Sequence, residues 1–407
     1  MQSTQIDVKE YGYFAGNQWR NAVDNQVFEV HEPYSGKLFA RVAAGSRADG
    51  RTAVDAAAKA FAGWAETTPA EKARLFLKAS EIVKRRRSEI AEVLARETGS
   101  TISFATFQQD LVAATLQQVA GWVYLPKGEV LETNAPGSHS IGVRRPLGVV
   151  ASFTPWNGAN VLSWRAGRLL KRTVMELGGF NPMIILDDVD MDYAVRTATF
   201  GSFFHQGQIC LNTRRIIIQR KIYEEFLGKF VARTKSLPAG DPLDPKTIIG
   251  PIITRDAVKL IDDRVKEAVA RGAKAHTGAK HDGQIYYPTI LTDVPLDAAI
   301  ANEETFGPVV VVEVVDTPEE AVAAANRTLY GLTSSILAGN TYKAFEMAPK
   351  VLAGIVNVNS PTVNDEIHAP VGGVRDSGWG RTGPRSLDDF SDVIWINSHS
   401  GQRQYPF

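Results

Sequence analysis

The sequence holds a single cysteine, Cys210, in 407 residues. One cysteine forbids an internal disulfide, which fits a reducing compartment. Charge of one sign is also missing: Lys plus Arg number 45, and Asp plus Glu number 45. Without a basic excess there is no electrostatic footprint for nucleic acid or a membrane surface as partner. No stretch approaches the ~18 uninterrupted apolar residues of a membrane span. Met1–Glu10 is polar, with no apolar run of signal-peptide type. The histidines show no metal-ligand spacing, so no metal site is expected. There is no internal repeat and no low-complexity tract. These absences predict a soluble, cytoplasmic protein.

What is present is an ordinary globular composition, 44% hydrophobic and 22% charged. The length exceeds a typical core of ~100–200 residues, so two or three domains are expected. The first part of the chain alternates short apolar runs with turns such as Glu32-Pro33-Tyr34-Ser35-Gly36, predicting strands. A helix is predicted over Arg51–Glu66. Thr68-Pro69-Ala70-Glu71 then has a cap, a proline at the first position and a glutamate three residues on. The apolar stripe from Leu75 to Leu94 predicts one helix closed by Gly99, with Lys84–Arg87 on its solvated face. A further helix is predicted over Phe104–Trp122 and a hairpin over Glu129–Arg145. Buried strands are predicted at Val149–Phe153, Pro182–Leu186, Ile216–Gln219 and Val309–Val315. The last three precede helical patterns at Tyr193–Phe204, Tyr223–Ser236 and Pro318–Arg327, the signature of a mainly parallel α/β sheet.

Five segments carry chemistry, and each has a bland reading beside it. Cys210 follows Gln206-Gly207-Gln208-Ile209. A free cysteine is ordinarily a small buried hydrophobe, and a nucleophilic one needs a base or an electropositive setting to form thiolate. Glu176, after the strand-like Thr173-Val174-Met175 and before Gly178-Gly179, is a candidate base or an ordinary turn acid. Asn157 ends the run after Val149–Phe153, where open α/β sheets place functional groups. It is a candidate oxyanion donor or a turn residue. Glu304 and Phe306, in Glu303-Glu304-Thr305-Phe306-Gly307-Pro308, could hold ribose hydroxyls and pack on a nicotinamide, or form a plain loop. Gly378-Trp379-Gly380-Arg381-Thr382-Gly383 matches a dinucleotide fingerprint literally, but no strand precedes it and no βαβ unit surrounds it, so it reads as a structural loop.

Taken in order, the segments resemble the aldehyde dehydrogenase superfamily: Pro155-Trp156-Asn157, Glu176-Leu177-Gly178-Gly179, Gly207-Gln208-Ile209-Cys210, Glu303–Pro308 and the glycine-rich Gly372–Arg381. The resemblance covers nearly the whole chain. It implies an α/β fold with a Rossmann-type cofactor domain (1–126 and 147–177), a catalytic α/β domain (178–386) and oligomerisation segments (127–146 and 387–407). It also implies NAD or NADP as cofactor, an aldehyde as substrate and a homodimer or homotetramer. By the same resemblance Cys210 attacks the aldehyde, Asn157 holds the oxyanion and Glu176 activates water. Glu304, Phe306 and Trp156 lie on the cofactor side. The likeness is nearest to vanillin and benzaldehyde dehydrogenases, and Trp156, Trp164, Phe204 and Trp379 are candidate pocket aromatics.

One departure stands out. The interval from Asn157 to Glu176 is shorter than a single βαβ crossover, which needs ~30 residues. In the family this interval holds much of the dinucleotide fold, including a Gly-Ser-Thr-x-x-Gly loop and helix. A block of about 80 residues, two to three βαβ-sized units, is missing near Ala166-Gly167, and the cofactor domain is therefore expected to be incomplete. Three explanations stand. The block belongs to the full protein but not to this sequence, it is a real deletion, or the chain is a relative without NAD(P) binding that keeps at most thiol-esterase activity or a structural role.

Overall fold

In the computed structural model the described residues are 8–154, 166, 168–402 and 404–407. Five short strands open the chain: β1 (Lys9–Tyr11), β2 (Tyr13–Ala15), β3 (Gln18–Arg20), β4 (Val27–His31) and β5 (Leu38–Ala43). Four helices follow: α1 (Arg47–Glu66), α2 (Pro69–Arg85), α3 (Arg87–Thr98) and α4 (Ile102–Trp122). Helix α1 starts ahead of the expected Arg51 because Ser46 and Asp49 form a reciprocal capping box. Thr68 caps α2 as expected. The single helix expected from Leu75 to Gly99 is two helices. Arg86, at φ −96° and ψ 13°, breaks the run, and Gly99 closes the second piece in the left-handed region at φ 75°. The basic run there is solvated and paired, Arg86 with Glu89 and Arg87 with Asp110.

Strands β6 (Gly128–Leu131) and β7 (Ser138–Pro146) form the expected hairpin. β8 (Met175–Glu176) is a two-residue strand, and β9 (Asn181–Ile185) begins the main sheet. Then come α5 (Met191–Phe203), β10 (Thr213–Gln219), α6 (Arg220–Lys235), α7 (Arg255–Ala270), β11 (Lys274–Thr277), β12 (His281–Asp282), β13 (Ile285–Tyr286) and β14 (Thr289–Thr292). The chain continues through β15 (Val309–Val315), α8 (Pro318–Asn326), β16 (Thr333–Leu337), α9 (Thr341–Met347), β17 (Ile355–Val358), β18 (Gly378–Trp379), α10 (Ser386–Asp389) and β19 (Ser391–His399). β19 pairs with β7, so hairpin and tail share one three-stranded sheet.

The main sheet has seven strands in the order β11-β14-β15-β10-β9-β16-β17, parallel except for β11. Its central strands are covered on both faces, which is why they read as continuous apolar runs. Alternate residues serve opposite faces. Met183, Ile185, Ile216 and Ile218 pack with Ala194, Ala198, Phe226 and Phe230 of α5 and α6. Ile184 and Ile217 turn the other way, onto Ala321, Ala324 and Ala325 of α8 and Ala344 and Met347 of α9. Each such fully buried Ile or Phe contributes roughly 1.5–3 kcal/mol of transfer free energy.

One expected strand is absent. Val149–Phe153 is irregular, with Val150 52% and Phe153 67% exposed. A strand needs neighbours to take up its N–H and C=O groups. Among the described residues no strand lies beside this one. Leu169 and Leu170, just after it, are also largely exposed. No helix among the described residues is long and apolar enough to cross a membrane.

Candidate active site

Strands β15, β10 and β9 are parallel neighbours. The loops that enter them must therefore converge at one end of the sheet. Those loops are Glu303–Pro308, Gly207–Asn212 and Glu176–Phe180, three of the segments singled out above. The site thus sits at the amino ends of the strands, opposite the carboxyl-end crevice that open α/β sheets commonly use.

The cysteine loop is held by strain and by hydrogen bonds. After α5 the chain takes three consecutive left-handed residues, His205 (φ 51°), Gln206 (φ 53°) and Gly207 (φ 69°). Two are not glycine, a costly arrangement that persists only when the surroundings enforce it. Gln206 Nε2 donates to the carbonyls of Gly99 (3.0 Å) and Pro251 (3.2 Å). The His205 ring stacks on Phe104 of α4 at 3.9 Å. Gly207 passes so close to the next loop that a Cβ would lie 2.1 Å from the Gly307 oxygen. Asn212 Oδ1 accepts from Ile209 N–H (2.8 Å), and Asn181 Nδ2 donates to the Cys210 carbonyl (2.7 Å). The backbone of Cys210 is thereby anchored to β9.

Glu176 is presented by a clasp. Its strand β8 pairs antiparallel with β18, where Gly378 lies opposite Glu176. Ser377 Oγ donates to Gly178 O (2.8 Å) and accepts from Gly331 N–H (2.9 Å). Gly378, at φ 102°, leaves no room for a Cβ beside Met175 O. The literal fingerprint beginning at Gly378 is thus a structural loop, and what it holds is the glutamate segment. The Glu176 residue is exposed as a whole, yet protein atoms around its carboxyl partly desolvate it. Burial first, then the negative charge of Asp365, raise its pKa.

Glu304 Oε1 accepts from the Gly179 N–H at 3.1 Å, and a Cβ on Gly178 would collide with its carboxylate. Burial raises its pKa, opposed by Arg214, the Gly179 N–H and Arg264. Arg264 donates to Glu304 O (2.5 Å) and pairs with Glu303, which holds this loop in place. The Cys210 thiol is pushed up to about 12, by burial first, then by the charges of Glu176 and Glu304; Arg214 and the Cys210 N–H act the other way. Such a thiol is protonated at neutral pH, so attack on a carbonyl needs a base to take its proton. His205 is no candidate for that base: full burial lowers its pKa to about 3.

Cys210, Glu176 and Glu304 are therefore brought together, with Phe306 on the same loop as Glu304. Asn157, Trp156 and Trp164 lie outside the described residues. Phe204 is half-buried and stacks on Phe200 (4.6 Å), while Trp379 is half exposed and donates to Thr173 O (2.9 Å). Neither stands in the arrangement around Cys210 described above. Sequence reasoning missed Asn181, Ser377 and Arg214. A signal existed for Arg214: two arginines, Thr213-Arg214-Arg215-Ile216, stand directly before the apolar run Ile216–Ile218 of a buried strand.

No group of residues that could hold a metal ion occurs among the described residues. Glu304 and Phe306, the residues named for the nicotinamide end of a dinucleotide, share the loop that enters β15. The pyrophosphate and adenosine need a strand–glycine loop–helix unit, and no such unit is formed by the described residues between Pro146 and Met175.

A half-buried thiol, with the charges of two carboxylates acting on it, thus lies at the amino ends of a parallel sheet. The aldehyde dehydrogenase family profile matches residues 19–166 and 158–396, and the chain belongs to that family, NAD(P)-dependent oxidoreductases with a catalytic cysteine. It is 32% identical over 474 aligned positions to a vanillin dehydrogenase of Pseudomonas fluorescens, covering 96% of this chain and 98% of that one. A salicylaldehyde dehydrogenase of Pseudomonas putida is 31% identical over 478 positions, with 97% and 99% covered. The crystal structure of a salicylaldehyde dehydrogenase from Pseudomonas putida G7, complexed with salicylaldehyde, superposes with a TM-score of 0.95 at 29% identity. It covers 98% of this chain and 100% of that one.

Proposed function

We propose that the chain carries the catalytic site of a dehydrogenase for aromatic aldehydes, with Cys210 as nucleophile and Glu176 as the base that activates water. Asn157 and the Cys210 backbone N–H hold the oxyanion. Glu304, Phe306 and Trp156 belong to the nicotinamide side. The observation that carries this reading is the convergence of Cys210, Glu176 and Glu304 at one end of the sheet. The vanillin and salicylaldehyde dehydrogenases among its relatives support an aromatic substrate.

In this chemistry the thiol gives up its proton as the sulfur–carbon bond forms at the carbonyl, and the oxyanion is stabilised by the two donors. NAD(P), where bound, supplies the hydride acceptor for aldehyde oxidation. In hydrolysis of the resulting acyl-enzyme, Glu176 takes a proton from water as oxygen bonds to the acyl carbon. The carbon–sulfur bond then breaks, releasing the acid and the thiol. The hairpin and tail strands β6, β7 and β19, with Val393, Trp395 and Ile396 exposed, suit assembly into a homodimer or homotetramer.

A second reading is favoured by the exposed Val149–Phe153, which pairs with no strand among the described residues. It holds that a cofactor-binding block is missing near Ala166-Gly167, so that this chain keeps the acyl chemistry without NAD(P) binding. Two features of the comparisons support it. The aligned positions outnumber the residues of the chain, and the family profile breaks within 158–166. The chain should bind no NAD⁺ in a calorimetric titration up to about 1 mM, the upper end of ordinary enzyme affinities. Its intact mass should be 44.4 kDa. It should still hydrolyse p-nitrophenyl acetate, with turnover lost in Cys210→Ala. Saturable NAD⁺ binding at that mass overturns the deletion reading, and undiminished turnover in Cys210→Ala overturns the nucleophile. If the block is present, kcat/KM for benzaldehyde should exceed that for a short aliphatic aldehyde.

A further inference from the structure

Strands buried on both faces rarely carry charge, yet β10 begins Thr213-Arg214-Arg215, and both arginines are buried. A buried guanidinium must be offset by hydrogen bonds and by nearby negative charge. Arg215 is accounted for structurally: it donates to the carbonyls of Ala324 (3.0 Å) and Ala325 (2.9 Å), at the C-terminal end of α8, where a cation is favoured. Arg214, 2% exposed, is placed differently. Its Nη1 donates to Gly307 O (2.9 Å), while its Nη2 donates to Gly207 O (2.6 Å) and Ile209 O (3.1 Å). Its guanidinium lies over the Phe306 ring at 5.7 Å. Its Nε has no hydrogen-bond partner among the described residues. One side chain thus holds carbonyls of both the cysteine loop and the loop of Glu304 and Phe306.

The charged groups that act on the thiol are Glu176 from β8, Glu304 from the loop before β15 and Arg214 from β10. Arg214 is the cation of that set. Burial lowers its pKa to about 10, which still leaves it protonated at neutral pH. We propose that Arg214 is a positioning residue for Cys210, tying the cysteine loop to the Glu304–Phe306 loop and setting a positive charge against the two carboxylates that face the thiol. The inference rests on the reading of Cys210 as nucleophile. It deepens that reading by naming what holds the sulfur in place and what opposes the local negative charge.

The test is the pH dependence of Cys210 alkylation by iodoacetamide in the full chain. The thiolate forms a carbon–sulfur bond, iodide leaves and the thiol proton goes to solvent. Arg214→Met removes the charge and should displace the profile upward by about one pH unit, slowing alkylation roughly tenfold at a given pH. Arg214→Lys keeps the charge and should recover at least half of that displacement. If circular dichroism shows that Arg214→Met does not fold, Arg214→Gln, whose amide still donates to a loop carbonyl, carries the same expectation. A folded charge-free variant with an unshifted profile overturns the proposal. So does Arg214→Lys displaced as far as Arg214→Met, since a purely structural role would do that. Alkylation reads the thiol whether or not it turns over, so failure here is distinct from unchanged ester turnover in Cys210→Ala.

Discussion

Val149–Phe153 and Asn181–Ile185 are both short apolar runs of the kind that form buried strands, and they meet opposite fates. Asn181–Ile185 lies between β10 and β16, and every one of its residues is buried. Val149–Phe153 has no strand partner among the described residues and is largely exposed. The difference is in neighbours, not in residue type. An apolar run states a need for burial and for backbone partners. The first run has partners on both edges because βαβ units follow it in the chain, and the second has none among the described residues. The loops around Cys210 show the same rule, since Asn181, Gln206 and Arg214 tie them to neighbouring segments.

Substitutions can sharpen or break this contrast, beginning where the two regions meet. Glu176→Gln should slow release of the acyl group ~10²–10⁴-fold while leaving a stoichiometric burst of p-nitrophenol, because base catalysis typically supplies that much. In the unsubstituted chain, deacylation should rise with pH as Glu176 loses its proton, above the usual glutamate range because its pKa is raised. Asp365→Asn removes the second cause of that shift and should move the rise to lower pH. A profile unmoved by Asp365→Asn would detach Asp365 from the base.

Next in size is the stability contrast itself. Ile184→Ala, in the fully buried strand, should cost ~2–5 kcal/mol in denaturant unfolding. Val150→Ala, in the exposed run, should stay within about 0.5 kcal/mol. Comparable losses would mean that Val149–Phe153 is packed after all.

A pH effect of a different kind concerns His205, buried against α4 with its pKa lowered to about 3. The unfolded chain binds a proton here near pH 6.5, so stability holds above that pH and falls as pH drops toward 3. Substituting His205→Asn, which tolerates the left-handed backbone, should flatten the acid side of the stability curve by about 1.4 kcal/mol per pH unit. An unchanged slope would show that burial of this ring does not govern the acid limb.

Much of the arrangement was legible in the residues. Continuous apolar runs followed by helical patterns identified β9, β10 and β15, and the capped Thr68–Glu71 start identified α2. The order of short motifs pointed to Cys210, Glu176 and Glu304. What escaped were features whose partners are distant in the chain. The break at Arg86 interrupts a stripe that reads as continuous. Asn181 and Ser377 act through carbonyls far away in sequence, and the clasp of β8 by β18 joins segments no local pattern links.

By itself the sequence determined which segments are strand-like or helical, because burial period is written in residue spacing, and, by the order of its motifs, the family to which the chain belongs. It also exposed the short interval before Glu176. The tertiary structure alone decided that three motif loops meet at the amino ends of adjacent parallel strands. Strand order, which no residue encodes singly, sets which loops are neighbours. It likewise decided that Val149–Phe153 pairs with no strand among the described residues, because a strand exists only where another strand takes up its hydrogen bonds.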